Sequence, residues 1–259
     1  MCSKVSDILV HYLLESIYQQ RETGMQEIIM IDGHYKLPEL IMNSPNEKRF
    51  DYIYNSGTWA KSTNGESVSG SGSTIAYTEL YRDQLKQFCE MQSDTLTFFD
   101  APCGDLNWVK ELFDKVNYIG GDISGDLINH LKIKYPDVSL NKFDIIKDDF
   151  PDADVWHCRH CLFHMSLSDI ALAFENFCRS NIQYALITNH FLPDRVTFDI
   201  PTGSFRFLDL TNYPFYLPAP QVYLLDSDPM SGKTSMASGL WNKSDLNYGL
   251  ENYVKFVKN

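Results

Sequence analysis

The sequence predicts an α/β fold in which a mainly parallel sheet is covered by helices on both faces. Short apolar runs alternate with segments of helical periodicity between residues 96 and 188, a pattern typical of βαβ units. Three predicted strands lead to acidic residues, at Asp100, Asp122 and Asp144. Because the ligands of such sheets bind beyond the carboxyl ends of the strands, these side chains are candidates for one binding site.

The bulk composition is that of a globular protein. The chain has 259 residues, 44% hydrophobic and 22% charged, with a net charge of −12, which suits one domain with a substantial core. Lys and Arg are scattered rather than clustered, so a nucleic-acid partner is unlikely. No apolar run reaches the ~18–20 residues of a membrane span. The six cysteines lack framework spacing, so we expect reduced thiols and a cytoplasmic protein.

The N-terminal third contains a helix and a polar stretch. Residues 4–22 carry apolar side chains at helical spacing and are predicted to form a helix that packs on its own domain rather than on a partner. Residues 27–54 carry no assignment. Ser, Gly, Thr and Asn dominate residues 55–74, where Trp59 is the main apolar anchor. This stretch is either a flexible linker or a lid that closes over a ligand, and a Trp is unusual in a pure linker.

The remaining elements follow from periodicity. Apolar residues at helical spacing predict helices over residues 75–91 (with Ser73 or Thr74 as N-cap), 106–115, 125–135 and 166–179. Short apolar runs predict strands over residues 96–99, 117–121, 138–143, 153–158 and 182–188, with two last strands at 221–226 and 239–241. Aromatic residues and prolines accumulate between 191 and 220. Most of these aromatics are expected in the core, and a few in a substrate pocket. The tail from 248 carries no further prediction.

The turn after the first strand of this core is a poor phosphate site. Residues 100–105 read Asp-Ala-Pro-Cys-Gly-Asp, whereas a dinucleotide site usually needs G-x-G-x-x-G. The proline removes an amide donor. Asp100 and Asp105 would repel phosphate oxygens. The turn therefore disfavours NAD and FAD.

A nucleoside with a cationic end suits this turn better. S-adenosyl-L-methionine (SAM) has an adenosine, no phosphate, a sulfonium and an ammonium. Asp122 lies 22 positions after Asp100, close to the spacing that ribose recognition requires. It would accept hydrogen bonds from the ribose hydroxyls, and Asp144 would accept one from the adenine amino group.

Residues 95–190 resemble the class I SAM-dependent methyltransferases. Residues 99–104 (Phe-Asp-Ala-Pro-Cys-Gly) resemble the first motif of that family, with a proline where glycine is common. Residues 121–123 (Gly-Asp-Ile) resemble its ribose-binding motif, and residues 143–145 (Phe-Asp-Ile) its adenine-contacting motif. Residues 154–165 resemble the segment after its fourth strand, except that a histidine, His160, replaces an Asp.

The resemblance implies a fold, a cofactor and a set of site residues. The fold is a Rossmann-like, doubly wound sheet of seven strands with an antiparallel strand near the C-terminus. SAM is the implied cofactor. Its implied binding residues are Trp59, Asp100, Ala101, Pro102, Cys103, Gly104, Asp122, Ile123, Asp144, Ile145 and Arg159. A single methyltransferase domain then spans residues 1–259, with helices and lid in 1–92, the SAM-binding core in 93–190, and an aromatic substrate cover with the last strands in 191–259.

Two histidines are candidates for a general base. A hydroxyl acceptor loses a proton during methyl transfer, and a histidine near its usual pKa is suited to take it. His164 and His190 lie just past predicted strands. Either could instead cap a helix or bond a backbone carbonyl. Asp194 and Arg195 are further candidates for substrate binding.

Two competing motifs are set aside. Cys158 and Cys161 lie among histidines, but a structural zinc site usually has a second ligand pair, which this sequence lacks. Residues 231–234 (Ser-Gly-Lys-Thr) mimic the end of a P-loop, yet the upstream glycine and the strand-to-helix context are missing. We therefore expect neither a metal nor a P-loop site.

The expected activity is SAM-dependent O-methylation of a sugar or glycan hydroxyl, in which positioning supplies much of the acceleration. The lid at residues 66–70 and the turn at residues 100–105 resemble a subgroup of small methyltransferases linked to glycan biosynthesis. Alternatives are another small molecule, a protein or an RNA as acceptor, a NAD-dependent oxidoreductase, and a SAM-binding module without catalysis.

Overall fold

The computed structural model describes residues 29–31, 34–92, 94–191, 197–226 and 236–258. Its strands are β1 (Ile29–Ile31), β2 (His34–Lys36), β3 (Thr97–Asp100), β4 (Asn117–Asp122), β5 (Ser139–Lys142), β6 (Val155–Cys158), β7 (Tyr184–His190), β8 (Val222–Asp226) and β9 (Met236–Asn242). Its α-helices are α1 (Glu39–Met42), α2 (Asn46–Asn55), α3 (Ile75–Glu90), α4 (Gly125–Lys134), α5 (Leu167–Arg179) and α6 (Lys243–Lys258). The helix predicted at 4–22 lies outside the described residues.

One seven-stranded sheet organises these elements. Its strand order is β5-β4-β3-β6-β7-β9-β8, while β1 and β2 form a separate antiparallel hairpin. β9 runs antiparallel to β7 and β8, and the other neighbours are parallel. The predicted Rossmann-like sheet with an antiparallel strand near the C-terminus is thereby confirmed. The strand order reverses between β3 and β6, and such a reversal opens a crevice for ligands.

Apolar layers cover both faces of the sheet. Phe98 and Phe99 on β3 point to opposite faces, and they are 0% and 1% exposed. Tyr81 and Leu85 of α3 pack with Phe98, while Phe174 of α5 belongs to the layer around Phe99. This double burial explains why the core strands read as continuous apolar runs rather than as alternating ones.

Two segments differ from the sequence prediction. The helix predicted at residues 106–115 is wrong, because only a 3₁₀ turn forms there, at Val109–Leu112. Leu106 has a φ of 58°, a left-handed value that an α-helix does not accommodate. The tail after 248 belongs to α6, which Leu246 anchors in the core. Within the described residues, no helix combines the length and the apolarity needed to cross a membrane.

Candidate functional site

A cavity of about 860 Å³, counted with its open mouth, lies at the carboxyl ends of β3, β4 and β6. Of the predicted site residues that the structure describes, all but Ala101 and His190 line it. Asp100 ends β3, Asp122 ends β4, and Asp144 follows β5. The cavity thus carries three carboxylates from three adjacent strands.

The guanidinium of Arg159 at this cavity is paired with a buried carboxylate. Arg159 donates from Nε and Nη2 to the two carboxylate oxygens of Asp226, at 2.7 and 2.8 Å, and from Nη1 to the Gly72 carbonyl at 2.9 Å. Its guanidinium lies 4.9 Å from the ring centre of Tyr81 and 5.0 Å from that of Trp108. Because Asp226 balances this charge, the carboxylates of the cavity dominate, and the site favours a cationic ligand.

Asp122 is held by hydrogen-bond donors. Its Oδ2 accepts from the Gly104 amide at 3.2 Å and from the Tyr54 hydroxyl at 3.3 Å, and its Oδ1 accepts from the Ser124 amide at 3.0 Å. Burial raises the pKa of Asp122 to about 6, although these donors oppose the rise. The carboxylate is therefore oriented in advance and is largely ionised at neutral pH.

The two acidic residues of the turn have other partners than a phosphate. Asp100 bonds His157 and Tyr118, both at 2.6 Å. Asp105 turns toward the polar stretch 55–74 and accepts from the Ser67 hydroxyl and the Val68 amide, both at 2.8 Å. Asp105 was predicted only to repel phosphate, and its carboxylate anchors this stretch.

The stretch 55–74 is a folded cover, so the interpretation as a flexible linker is wrong. Trp59 and Ser69 from it line the cavity. Thr74 is the N-cap residue of α3, as predicted, but its side chain makes no capping hydrogen bond. Glu66 accepts from the Ile75 amide at 2.6 Å instead. At Gly72, an added Cβ would meet the His160 ring at 2.5 Å, so the absence of a side chain lets the cover close on β6.

A matched pair of glycines tests how tightly this cover fits the turn. Gly104 and Gly65 both have positive φ, at 56° and 81°. An added Cβ at Gly104 would meet Ser69 Oγ at 2.6 Å, while nothing lies within 4 Å at Gly65. We expect Gly65→Ala to lower the free energy of unfolding by about 1–2 kcal/mol through backbone strain. Gly104→Ala should cost about 1 kcal/mol more, because Ser69 loses its bond to the Asp105 amide. Urea unfolding measures both, and equal losses would contradict this fit.

Aromatic rings form one wall of the cavity. The Trp59 ring lies 5.6 Å from Tyr54, 5.0 Å from His164 and 6.2 Å from Phe50, measured between ring centres. Phe50 and Tyr54 were not predicted as site residues, because residues 27–54 carried no assignment. Their spacing of four residues places them on one face of α2, which is the signal that could have revealed them.

The two candidate bases have different surroundings. His164 lines the cavity and donates from Nδ1 to the Ser204 carbonyl at 2.7 Å. Burial lowers the pKa of His164 to about 3, so its ring is neutral. His190 lies outside the lining. Its Nδ1 accepts from the Leu208 amide at 3.3 Å, and Phe163 and Phe207 pack on its ring.

The other predicted residues also have defined partners. Ala101 is fully buried, and its carbonyl accepts from the Trp156 indole at 2.9 Å. Asp144 lines the cavity while it accepts from the Ile146 amide at 3.0 Å and from Lys147 Nζ at 2.9 Å. Asp194 and Arg195 lie outside the described residues. In the described ranges, no group of three or more His, Cys, Asp or Glu side chains could hold a metal ion.

Comparisons with known proteins bear on the fold. No protein-family model matches the sequence, and no curated protein matches it significantly. Among solved structures, magnesium protoporphyrin IX methyltransferase from Synechocystis PCC 6803 with bound SAH is 10% identical, with a TM-score of 0.54 over 76% of this chain and 99% of that chain. The same enzyme with bound SAM is 13% identical, with a TM-score of 0.47 over 77% and 90%. N-methyltransferase NodS from Bradyrhizobium japonicum WM9 is 10% identical, with a TM-score of 0.45 over 63% and 95%.

The fold assignment rests on the first of these structures, which has the highest TM-score of the three. At this level of identity, the likeness concerns the path of the backbone and not the chemistry of the site. It agrees with the strand order and with the antiparallel β9 described above. The chain therefore has a Rossmann-like fold whose backbone is similar to that of this solved methyltransferase.

Proposed function

We propose that the chain binds SAM in this cavity and transfers its methyl group to a hydroxyl of a sugar or glycan. The convergence of Asp100, Asp122 and Asp144 on one partly aromatic cavity supports the proposal most strongly. Carboxylates favour a ligand with a sulfonium and an ammonium, and aromatic faces favour cations and planar bases. The residues present thus fit SAM.

Each wall of the cavity has a role in this proposal. Asp122 accepts hydrogen bonds from the ribose hydroxyls, and Asp144 accepts one from the adenine amino group. Ile123 and Ile145 contact the adenine from the ends of the same strands. The cofactor supplies an electrophilic methyl group, and Trp59 excludes water from it. Rate then comes mainly from holding the acceptor in line.

His164 is the proposed proton acceptor. Since its Nδ1 donates to Ser204, Nε2 is the basic nitrogen of the ring. The low pKa of His164, a result of its burial, makes it a weak base. It would take the proton as the acceptor oxygen attacks, rather than before. His164→Ala should therefore lower kcat strongly while it changes the KM for SAM little. Comparison with His190→Ala tests the choice between the two histidines.

The pKa of Asp122 predicts the pH dependence of binding. Burial raises this pKa to about 6 in the free protein, and ribose hydroxyls bind the ionised form. Affinity should be constant above pH ~7 and should fall about tenfold per unit well below pH ~6. The same shift makes the contribution of this group to folding fully present below pH ~4, and the contribution is lost as pH rises through about 6. Titrations across this range should show the fall in the wild type and not in Asp122→Asn.

Methyl-labelled SAM identifies the acceptor. Purified protein is incubated with separated carbohydrate, lipid, protein and RNA fractions, at a SAM concentration too low for appreciable binding by Asp122→Asn, which serves as the control. We expect label in the carbohydrate fraction with the wild type alone. Label in protein or RNA would overturn the acceptor class, and label in no fraction would overturn methyl transfer itself.

A further inference from the structure

A chain of polar side chains crosses the apolar layer between α3 and the sheet. In the strand register, Asp100 is opposite His157, and Phe98 is opposite Tyr118. Because side chains alternate along a strand, Asp100, His157 and Tyr118 share one face. Tyr81 of α3 covers that face.

Each member of this chain bonds the next. His157 Nδ1 lies 2.6 Å from Asp100 Oδ1, and Tyr118 donates to Asp100 Oδ2 at 2.6 Å. The Tyr81 hydroxyl lies 2.9 Å from His157 Nε2. Burial raises the pKa of both tyrosines well above the usual range, so both keep their protons. Because a carboxylate oxygen accepts hydrogen bonds, His157 Nδ1 is assigned as the donor of its bond to Asp100.

This chain ends at the cavity. Tyr81, His157 and Tyr118 are buried, and Asp100 lines the cavity although its carboxylate is almost wholly enclosed. An enclosed carboxylate is costly unless it is hydrogen-bonded. Each of its oxygens accepts one bond from the chain, which leaves further lone pairs for a donor in the cavity.

We infer that Tyr81, His157 and Tyr118 are positioning residues that hold the Asp100 carboxylate oriented toward the ammonium group of the ligand's amino-acid tail. The inference rests on the proposed function, since it concerns SAM in the same cavity. Two short charge-assisted bonds fix the carboxylate plane. The Tyr81 hydroxyl fixes the His157 ring by its bond to the second ring nitrogen, Nε2. Residues that never touch the ligand thus set its affinity.

Two probes isolate the ammonium contact. S-adenosylhomocysteine carries the amino-acid tail, whereas 5′-methylthioadenosine has the same adenosine without it. His157→Leu removes the donor to Asp100. His157→Asn restores a donor near the place of Nδ1 while, like the leucine, it lacks the contact with Tyr81. The difference between the two variants therefore reports on the bond to Asp100 alone.

Titration calorimetry of both probes decides the matter. We expect His157→Leu to bind S-adenosylhomocysteine about 10- to 100-fold more weakly, and His157→Asn to recover most of that loss. The affinity for 5′-methylthioadenosine should stay within about twofold. Tyr81→Phe, which deletes one oxygen, should shift the same way by a smaller factor, and it decides the question if His157→Leu does not fold.

A packing variant in the same layer provides the control. Leu186 is fully buried beside His157 in the register of β6 and β7, so Leu186→Ala perturbs the layer without touching the chain. It should leave the ratio of the two affinities unchanged. Equal losses for both probes in His157→Leu, or no loss for either, would overturn the inference alone. A wild-type protein that binds neither probe would overturn the proposed function as well.

Discussion

Asp122→Asn should weaken SAM binding about 100-fold. A hydrogen bond to a charged group contributes about 1.5–3 kcal/mol, and two ribose hydroxyls are proposed to bond this carboxylate. The amide cannot accept on both atoms, and its NH₂ group would face one of the donors that now bond Asp122, among them the Gly104 and Ser124 amides. Titration calorimetry above pH ~7, where Asp122 is ionised, measures the loss.

Asp126→Asn is the matched control for this prediction. Asp126 lies four positions along the chain in the first turn of α4, and it is exposed. The substitution makes the same charge change without touching the cavity. It should leave the affinity within roughly twofold. A comparable loss in both variants would mean that overall charge, rather than a contact at Asp122, governs binding.

Asp226→Asn should lower the free energy of unfolding by about 3–5 kcal/mol. The substitution leaves the Arg159 guanidinium buried without its counter-charge, since both Asp226 oxygens accept from it. Replacing both partners, as in Arg159→Met with Asp226→Leu, should cost less than the single change, because no charge is left buried. Urea unfolding of the wild type and these two variants measures these differences.

The pair of Arg82 and Glu111, in which the carboxylate is exposed, serves as the comparison. Glu111 is 59% exposed, so Glu111→Gln should cost about 0–1 kcal/mol. Equal losses in Glu111→Gln and Asp226→Asn would contradict the prediction. The pH response gives a second check. Burial alone would raise the pKa of Asp226. The charges and hydrogen bonds of Arg159 and His160 outweigh burial, so the pKa of Asp226 lies below its usual range. Its contribution is therefore present above pH ~4 and is lost as pH falls further.

The sequence was sufficient to place the three carboxylates. Each of Asp100, Asp122 and Asp144 follows a short apolar run, and strand ends of this kind are readable from local pattern. A parallel sheet then brings carboxyl ends to one edge without any knowledge of packing. The sheet and the position of these side chains at one cavity follow from this logic.

The sequence could not reveal partners that are distant along the chain. Tyr54 bonds Asp122 across 68 positions, and Arg159 bonds Asp226 across 67. Periodicity reports which face of an element is buried, but not which polar groups meet there. The roles of Asp100 and Asp105 were therefore assigned from charge alone, and their actual partners emerged only from the fold.

Local pattern also misled at two elements. Leu106, Val109 and Leu112 have helical spacing, yet the left-handed backbone at Leu106 allows only a short turn. α6 was not predicted from the sequence, and it contains a helix-weakening glycine, Gly249. Leu217 packs so close to Gly249 that an added Cβ would collide with it, so tertiary packing overrides propensity there.

Titration calorimetry of the wild-type protein with SAM and with NAD tests the central claim most directly. The cavity is acidic and partly aromatic, and the turn at residues 100–105 is poorly suited to bind phosphate. We therefore expect SAM to bind with one molecule per chain and NAD to give no heat of binding. Absence of SAM binding, or tighter binding of NAD than of SAM, would contradict the account.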